Sequence, residues 1–184
     1  MTAPPSPAPS TAPSPAADPG VPEGFKPRRF GDGFIAANGP LYVKKQEHGI
    51  ALGFRVEPRH CNPMGICHGG MIATFCDMLL PISAHYLSDE LSRRFLPTIS
   101  LQVDYLAPSP KGAWVQGEAQ LLRSTRSLVF MQGLVTADGQ NVARVSGVFK
   151  IGPRFEDALG PTATESATAP AVPSPSPSNA PPKT

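Results

Sequence analysis

The hydrophobic pattern of the chain changes abruptly once. From residue 71 to 87, Met71, Ile72, Ala73, Phe75, Cys76, Met78, Leu79, Leu80, Ile82, Ala84 and Leu87 leave no polar face at helical spacing. A helix that is apolar all round belongs inside a protein. About 17 residues rise roughly 25 Å, which is short for a membrane span. Asp77 also sits mid-segment, where a bilayer penalises a charge. The pattern therefore predicts a buried helix carrying one carboxylate. The helix opens at Gly69-Gly70, where unpaired amides and the positive dipole end can hold a negative or polarised oxygen. Pro81 follows Asp77 by four positions and has no N–H for the Asp77 carbonyl. The helix is expected to bend or loosen at the turn that carries the acid.

Alternation and turn residues predict strands on both sides of this helix. They fall at 34–36, 41–46 and 50–56 before it, and at 98–105, 113–122, 128–136 and 141–151 after it. Glu47-His48-Gly49 and Asp138-Gly139 read as hairpin turns. With the short 34–36 stretch set aside, the count is one long apolar helix and five or six antiparallel strands, mostly joined by hairpins. The fold class is α+β. A curved antiparallel sheet wrapped about the helix is the economical way to cover it. Such a sheet leaves an edge open, and dimerisation through edge strands is one way to close it.

Composition narrows the picture. The 184 residues include 24 prolines, concentrated at the two ends. Residues 1–23 and 156–184 are Pro, Ala and Ser with little charge and read as disordered tails. Residues 24–155 remain, the usual size of one domain. Net charge is +2 with both signs scattered, which gives no footprint for nucleic acid and no reason to expect a membrane partner. No basic segment precedes an apolar run near the N-terminus, and three cysteines suggest free thiols, so a cytoplasmic location is expected. His60-Cys61 and Cys67-His68 offer zinc-type ligands, but their spacing matches no finger or ribbon, and no metal is expected. Cys76 has no histidine within a helical turn and reads as a buried inert thiol. No Gly-rich phosphate loop is present, so no dinucleotide or ATP cofactor is implied.

The run Asn62-Pro63-Met64-Gly65-Ile66-Cys67-His68-Gly69-Gly70, followed by Asp77 and by Pro97-Thr98-Ile99-Ser100-Leu101-Gln102-Val103-Asp104-Tyr105, resembles the signature of hotdog-fold acyl-CoA thioesterases of the phenylacetate-pathway (PaaI-like) family. The resemblance covers roughly residues 30–151. It implies the hotdog arrangement of helix and sheet, and acyl-CoA as substrate. It also implies roles for Asn62 in orienting water or thioester, and for Thr98 in assisting the acid. Ser100 departs from the family, whose members often carry an acid there, and Pro81 is unusual in this helix.

Thioester hydrolysis builds negative charge on the carbonyl oxygen, which the Gly69 amide is placed to stabilise. Asp77 then acts as general base on water, or as a nucleophile forming a mixed anhydride. His68 reads as a brace for the loop around Asn62, and Gly65 and Gly70 as backbone-geometry positions beside the substrate. Met71, Phe75, Met78 and Leu79 are core residues, of which one or two line an acyl tunnel. Arg123 and Arg126 are the first candidates to hold the phosphates of coenzyme A, and Arg93 and Arg94 the second. Gly69 and Asp77 are eight positions apart, about 12 Å of helical rise, so one thioester cannot reach both on one chain. Two antiparallel helices about 8–10 Å apart would bring Gly69 of one subunit to Asp77 of its twin. A homodimer with two composite sites is expected, alone or as half of a tetramer. A hotdog hydratase or dehydratase and a non-catalytic acyl-CoA binding module remain as alternatives.

Overall fold

The computed structural model describes residues 20–159. The proline-rich tails expected at 1–23 and 156–184 lie almost wholly outside these residues. The elements run β1 (Lys26–Arg28), α1 (Phe34–Asn38), β2 (Leu41–Lys45), β3 (Ile50–Arg55), α2 (Gly69–Leu87), β4 (Thr98–Tyr105), β5 (Trp114–Ser124), β6 (Leu128–Ala137), β7 (Gln140–Lys150) and α3 (Phe155–Leu159). A 3-10 turn, Pro58–His60, leads into the loop before α2.

All seven strands form one antiparallel sheet in the order β1-β2-β3-β5-β6-β7-β4. The expected wrapped sheet is present, with one strand more than the upper count. The added strand is β1, whose Lys-Pro-Arg sequence has no apolar alternation and pairs with β2 only at the sheet edge. Residues 34–36, expected as a strand, belong to helix α1 instead. Gly39-Pro40 ends that helix, and Phe34 stays 68% exposed, so the segment lacks the covered face that a strand needs.

Helix α2 lies on the inner face of the sheet. Phe75, Cys76, Leu79, Leu80 and Ala84 are completely buried there. Burying a large apolar side chain of this kind contributes about 1.5–3 kcal/mol. By length and composition α2 could cross a membrane, but the fold buries half of it. The helix continues through Pro81 to Leu87, so the expected loosening does not break it. Its burial is one-sided: Gly70, Ala73, Thr74, Asp77, Met78, Pro81 and His85 recur at three- and four-residue steps and are all less buried than the sheet-facing residues. The expectation of a helix covered on most sides is met on one side only among the described residues.

Close approach of α2 to the strands depends on small residues. A Cβ on Gly117 in β5 would lie 2.6 Å from Leu79 Cδ2 and 3.2 Å from Phe75 Cε1. Both neighbours are fully buried and have no free space to move into. Gly117→Ala is expected to destabilise the protein by about 1–3 kcal/mol through overpacking. Denaturant titration measures it; an unchanged midpoint would contradict this packing.

Candidate active site

The loop before α2 is a tight hairpin. Asn62 N–H donates to the Ile66 carbonyl at 2.9 Å, and His68 N–H donates to the His60 carbonyl at 2.7 Å. Between them Cys61 and Cys67 face each other as an antiparallel bridge. Asn62 organises the turn, because its Oδ1 accepts from Met64 N–H at 3.0 Å and Ile66 N–H at 3.4 Å. Gly65 takes φ +74°, the left-handed region that favours glycine. Among the described residues the Asn62 amide nitrogen has no protein partner.

The loop delivers the chain into α2 through a side-chain cap. His68 is the residue before the helix, and its Nδ1 accepts from Gly70 N–H at 2.9 Å. A Cβ on Gly70 would sit 3.0 Å from that nitrogen, so glycine leaves room for the ring. His68 therefore braces the helix start, close to the expected role but directed at Gly70 rather than at Asn62.

Gly69 forms part of the wall of a cavity of about 360 Å³. Asn62, Cys67, Ile72 and Tyr105 contribute to the same wall. The helix N-terminus and its positive dipole end thus border an open, mixed apolar and polar space. Tyr105 closes one side, and its hydroxyl donates to the Gly69 carbonyl at 2.8 Å. Tyr105 had no role assigned from sequence. The available signal was a large aromatic at the end of a strand; it is 56% exposed here.

Asp77 lies two turns further along α2 and does not line that cavity. Its Oδ1 accepts from Thr98 Oγ1 at 2.7 Å, the contact expected between acid and hydroxyl. A β-bulge makes it possible. Thr98 pairs with Phe149 and Ser100 with Val148, so Ile99 is the extra residue. A bulge re-aims the side chains beside it.

The candidate cations divide. Arg123 and Arg126 are exposed. Ser124 pairs with Val129, Val129 with Phe149 and Phe149 with Thr98, so the two arginines belong to the Thr98 end of the sheet and not to the Gly69 cavity. Arg93 and Arg94 have structural uses instead. Arg93 pairs with Glu156 at 3.1 Å, and Arg94 Nη1 donates to the Gly152 carbonyl at 3.2 Å.

Cys76 is fully buried, and burial pushes its thiol up to about 12, with the Asp77 charge adding to the effect. A neutral, enclosed thiol is no nucleophile. Among the described residues no cluster of three or more His, Cys, Asp or Glu could hold a metal ion.

Relatives place this arrangement. The sequence matches the family model described as Thioesterase superfamily over residues 64–144, which includes α2, Asp77, Thr98 and Tyr105. Through this segment the chain is similar to the thioesterase superfamily. Its hotdog domain is PaaI-like, and the protein is a thioester hydrolase. A Pseudomonas aeruginosa protein named "Putative esterase PA0474" is 24% identical over 132 residues, 71% of this chain and 97% of that one. A variant of the phenylacetic acid degradation protein PaaI from Thermus thermophilus superposes with a TM-score of 0.55 at 25% identity, covering 65% of this chain and 99% of its own. The fold also matches smu.793 from Streptococcus mutans UA159 bound to acetyl CoA, with a TM-score of 0.52 at 20% identity over 61% of this chain and 88% of that one.

His60 supports the site loop from behind. It is 3% exposed, and its Nδ1 accepts from Glu57 N–H at 3.0 Å. Burial, then the neighbouring Arg59 guanidinium, lower its pKa below the ordinary 6.5. The unfolded chain takes up a proton that the folded loop refuses. Stability from this group is complete above about pH 6.5 and is lost as pH falls below it. Burial lowers His85 in the same direction. The melting temperature is expected to drop between about pH 7 and pH 5, and His60→Gln is expected to drop less. A fall equally steep in both proteins would contradict this account.

Proposed function

We propose that the protein hydrolyses an acyl-CoA thioester at composite sites in a homodimer. The observation that carries this reading is the separation of two complementary half-sites along one helix. The Gly69 amide borders a cavity at the helix start. The Asp77–Thr98 pair sits eight residues later, about 12 Å away by helical rise. A thioester held by one half cannot touch the other on the same chain.

Self-association supplies the missing half. The less-buried stripe of α2 contains Asp77 and runs the length of the helix. The outer edge of β4 is unpaired among the described residues, and Ile99, Tyr105 and Leu106 on or beside that strand are exposed. An open edge beside exposed apolar side chains is a surface that proteins cover. Antiparallel packing of two α2 helices sets Gly69 of one protomer near Asp77 of its partner.

In this site the Gly69 N–H, at the positive end of α2, stabilises the carbonyl oxygen as it gains charge. Thr98 donates to one Asp77 oxygen and fixes the carboxylate, leaving the other oxygen to take a proton from water. The water oxygen bonds to the acyl carbon, the carbon–sulfur bond breaks, and the thiolate of CoA leaves with that proton. The products are the free acid and CoA thiol. Asn62 lines the cavity with an uncommitted amide nitrogen that can orient the water or the thioester. Arg123 and Arg126 are the cations offered to the CoA phosphates. Acetyl CoA on the fold of smu.793 supports this ligand class. His68 is committed to capping α2, which weighs against a hydratase that needs a free histidine at the reacting carbon.

Asp77→Asn is expected to lower kcat for thiol release from acyl-CoA by about 10²–10⁴, the usual contribution of a general base. Thr98→Ala is expected to lose roughly tenfold, since it frees the carboxylate without removing it. Ellman detection across short, aryl and long acyl-CoAs measures both. An undiminished rate in Asp77→Asn would overturn the assignment. Single turnover in ¹⁸O-water decides the route: direct entry of the label into the acid supports the base, and label retained on Asp77 supports the mixed anhydride.

A further inference from the structure

We propose that Cys61 and Cys67 form a reversible cross-strand disulfide that controls the loop bearing Asn62. The two residues are the directly opposed pair of the antiparallel bridge that closes the loop. The flanking hydrogen bonds run from Asn62 N–H to Ile66 O and from His68 N–H to His60 O. That pattern makes 61 and 67 a non-hydrogen-bonded pair, the closer of the two kinds. Opposed Cα atoms in such pairs are about 4.5 Å apart with side chains on the same face. This separation lies inside the range that a disulfide spans, about 4.4–6.8 Å.

Both sulfurs are free thiols in this structure, and each is loosely held. Cys61 Sγ lies 3.4 Å from the Glu57 carbonyl, and Cys67 Sγ 3.9 Å from the His68 carbonyl. Rotation about Cα–Cβ turns them from these carbonyls toward one another, and closing the bond keeps the ladder's hydrogen bonds while drawing its two strands slightly together. Their exposure differs usefully. Cys61 is half-buried and reachable, whereas Cys67 is buried against the cavity, and burial raises its thiol pKa to about 12.

A small-molecule disulfide, such as glutathione disulfide, is the oxidant. The Cys61 thiolate attacks one of its sulfurs, forming a mixed disulfide and expelling one small thiolate. The Cys67 sulfur then gives up its proton to solvent and attacks the Cys61 sulfur, expelling the second. Two protein thiols are oxidised, and one small disulfide is reduced to two thiols.

The bond reaches the site because Cys67 is the residue before the helix cap. It shares the cavity wall with Asn62 and Gly69. Drawing Cys67 toward Cys61 pulls on the His68–Gly70 cap and on the amide at Gly69. The effect on turnover rests on the proposed roles of Asn62 and Gly69; formation of the bond does not.

The test uses the full chain with glutathione disulfide, followed by dithiothreitol. Thiols counted by alkylation in denaturant are expected to fall from three to one, with the intact mass two hydrogens lighter and a peptide map linking 61 to 67. Thiol release from acyl-CoA is expected to fall roughly tenfold or more, because small misplacements of positioning groups cost that much. Dithiothreitol restores both. Cys61→Ser and, separately, Cys67→Ser are expected to keep their own starting rates under the same oxidant. Three alkylatable thiols after oxidation, a mixed disulfide that never closes, or a closed disulfide with an unaltered rate would each overturn the proposal. Thiol count and mass read the bond even in a protein without turnover, so failure of the hydrolase reading would be seen separately.

Discussion

The structure depends on one packing constraint: α2 must lie against the sheet closely on one side and remain open on the other. Leu79, Leu80 and Phe75 seat the helix on β5, β6 and β7, where Gly117, Gly133 and Gly147 leave room for them. That contact fixes the helix axis relative to every strand. It therefore fixes where the helix start meets Tyr105 and where Asp77 meets Thr98. The two proposed half-sites thus stand at two heights on a single rigid rod.

The opposite stripe of α2 follows from the same constraint. A sheet that curves around a helix from one side cannot also cover the far side. The side chains left there include the one carboxylate of the helix. An acid in that position escapes full burial, and Thr98 gives it a hydrogen bond. The same exposure makes it available to a partner. Stability and the proposed function are thus served by one asymmetry: apolar residues toward the sheet, and Asp77 and its smaller neighbours away from it.

Much of this was legible in the sequence, because the signals are local and strong. The apolar run after Gly69-Gly70 defined the helix, and strands β2 through β7 followed from alternation bounded by turn residues. The segment around Phe34 was misread because a short apolar triplet has no period of its own, and the turn at Gly39-Pro40 decided it. Strand β1 was invisible because Lys26, Pro27 and Arg28 pair through their backbone at an edge, with no apolar pattern. The acid and its hydroxyl partner were legible through the family resemblance. The bulge at Ile99 that brings them together was not, since register is a property of two strands and not of either alone. Tyr105 was missed for the same reason. Its hydrogen bond to Gly69 spans 36 residues of sequence. Likewise, Arg93 and Arg94 looked like available cations until the chain folded their partners back to them.

The most direct test of the central claim is complementation between two damaged subunits. One carries Asp77→Asn and the other Asn62→Ala, and each is assayed alone and after subunit exchange. Shared sites predict that mixing restores activity well above either parent, up to roughly a quarter of the undamaged sites in a random mixture of dimers. Verified mixed dimers that stay as inactive as their parents would show that the loop and the acid do not meet across the interface, and would contradict the account.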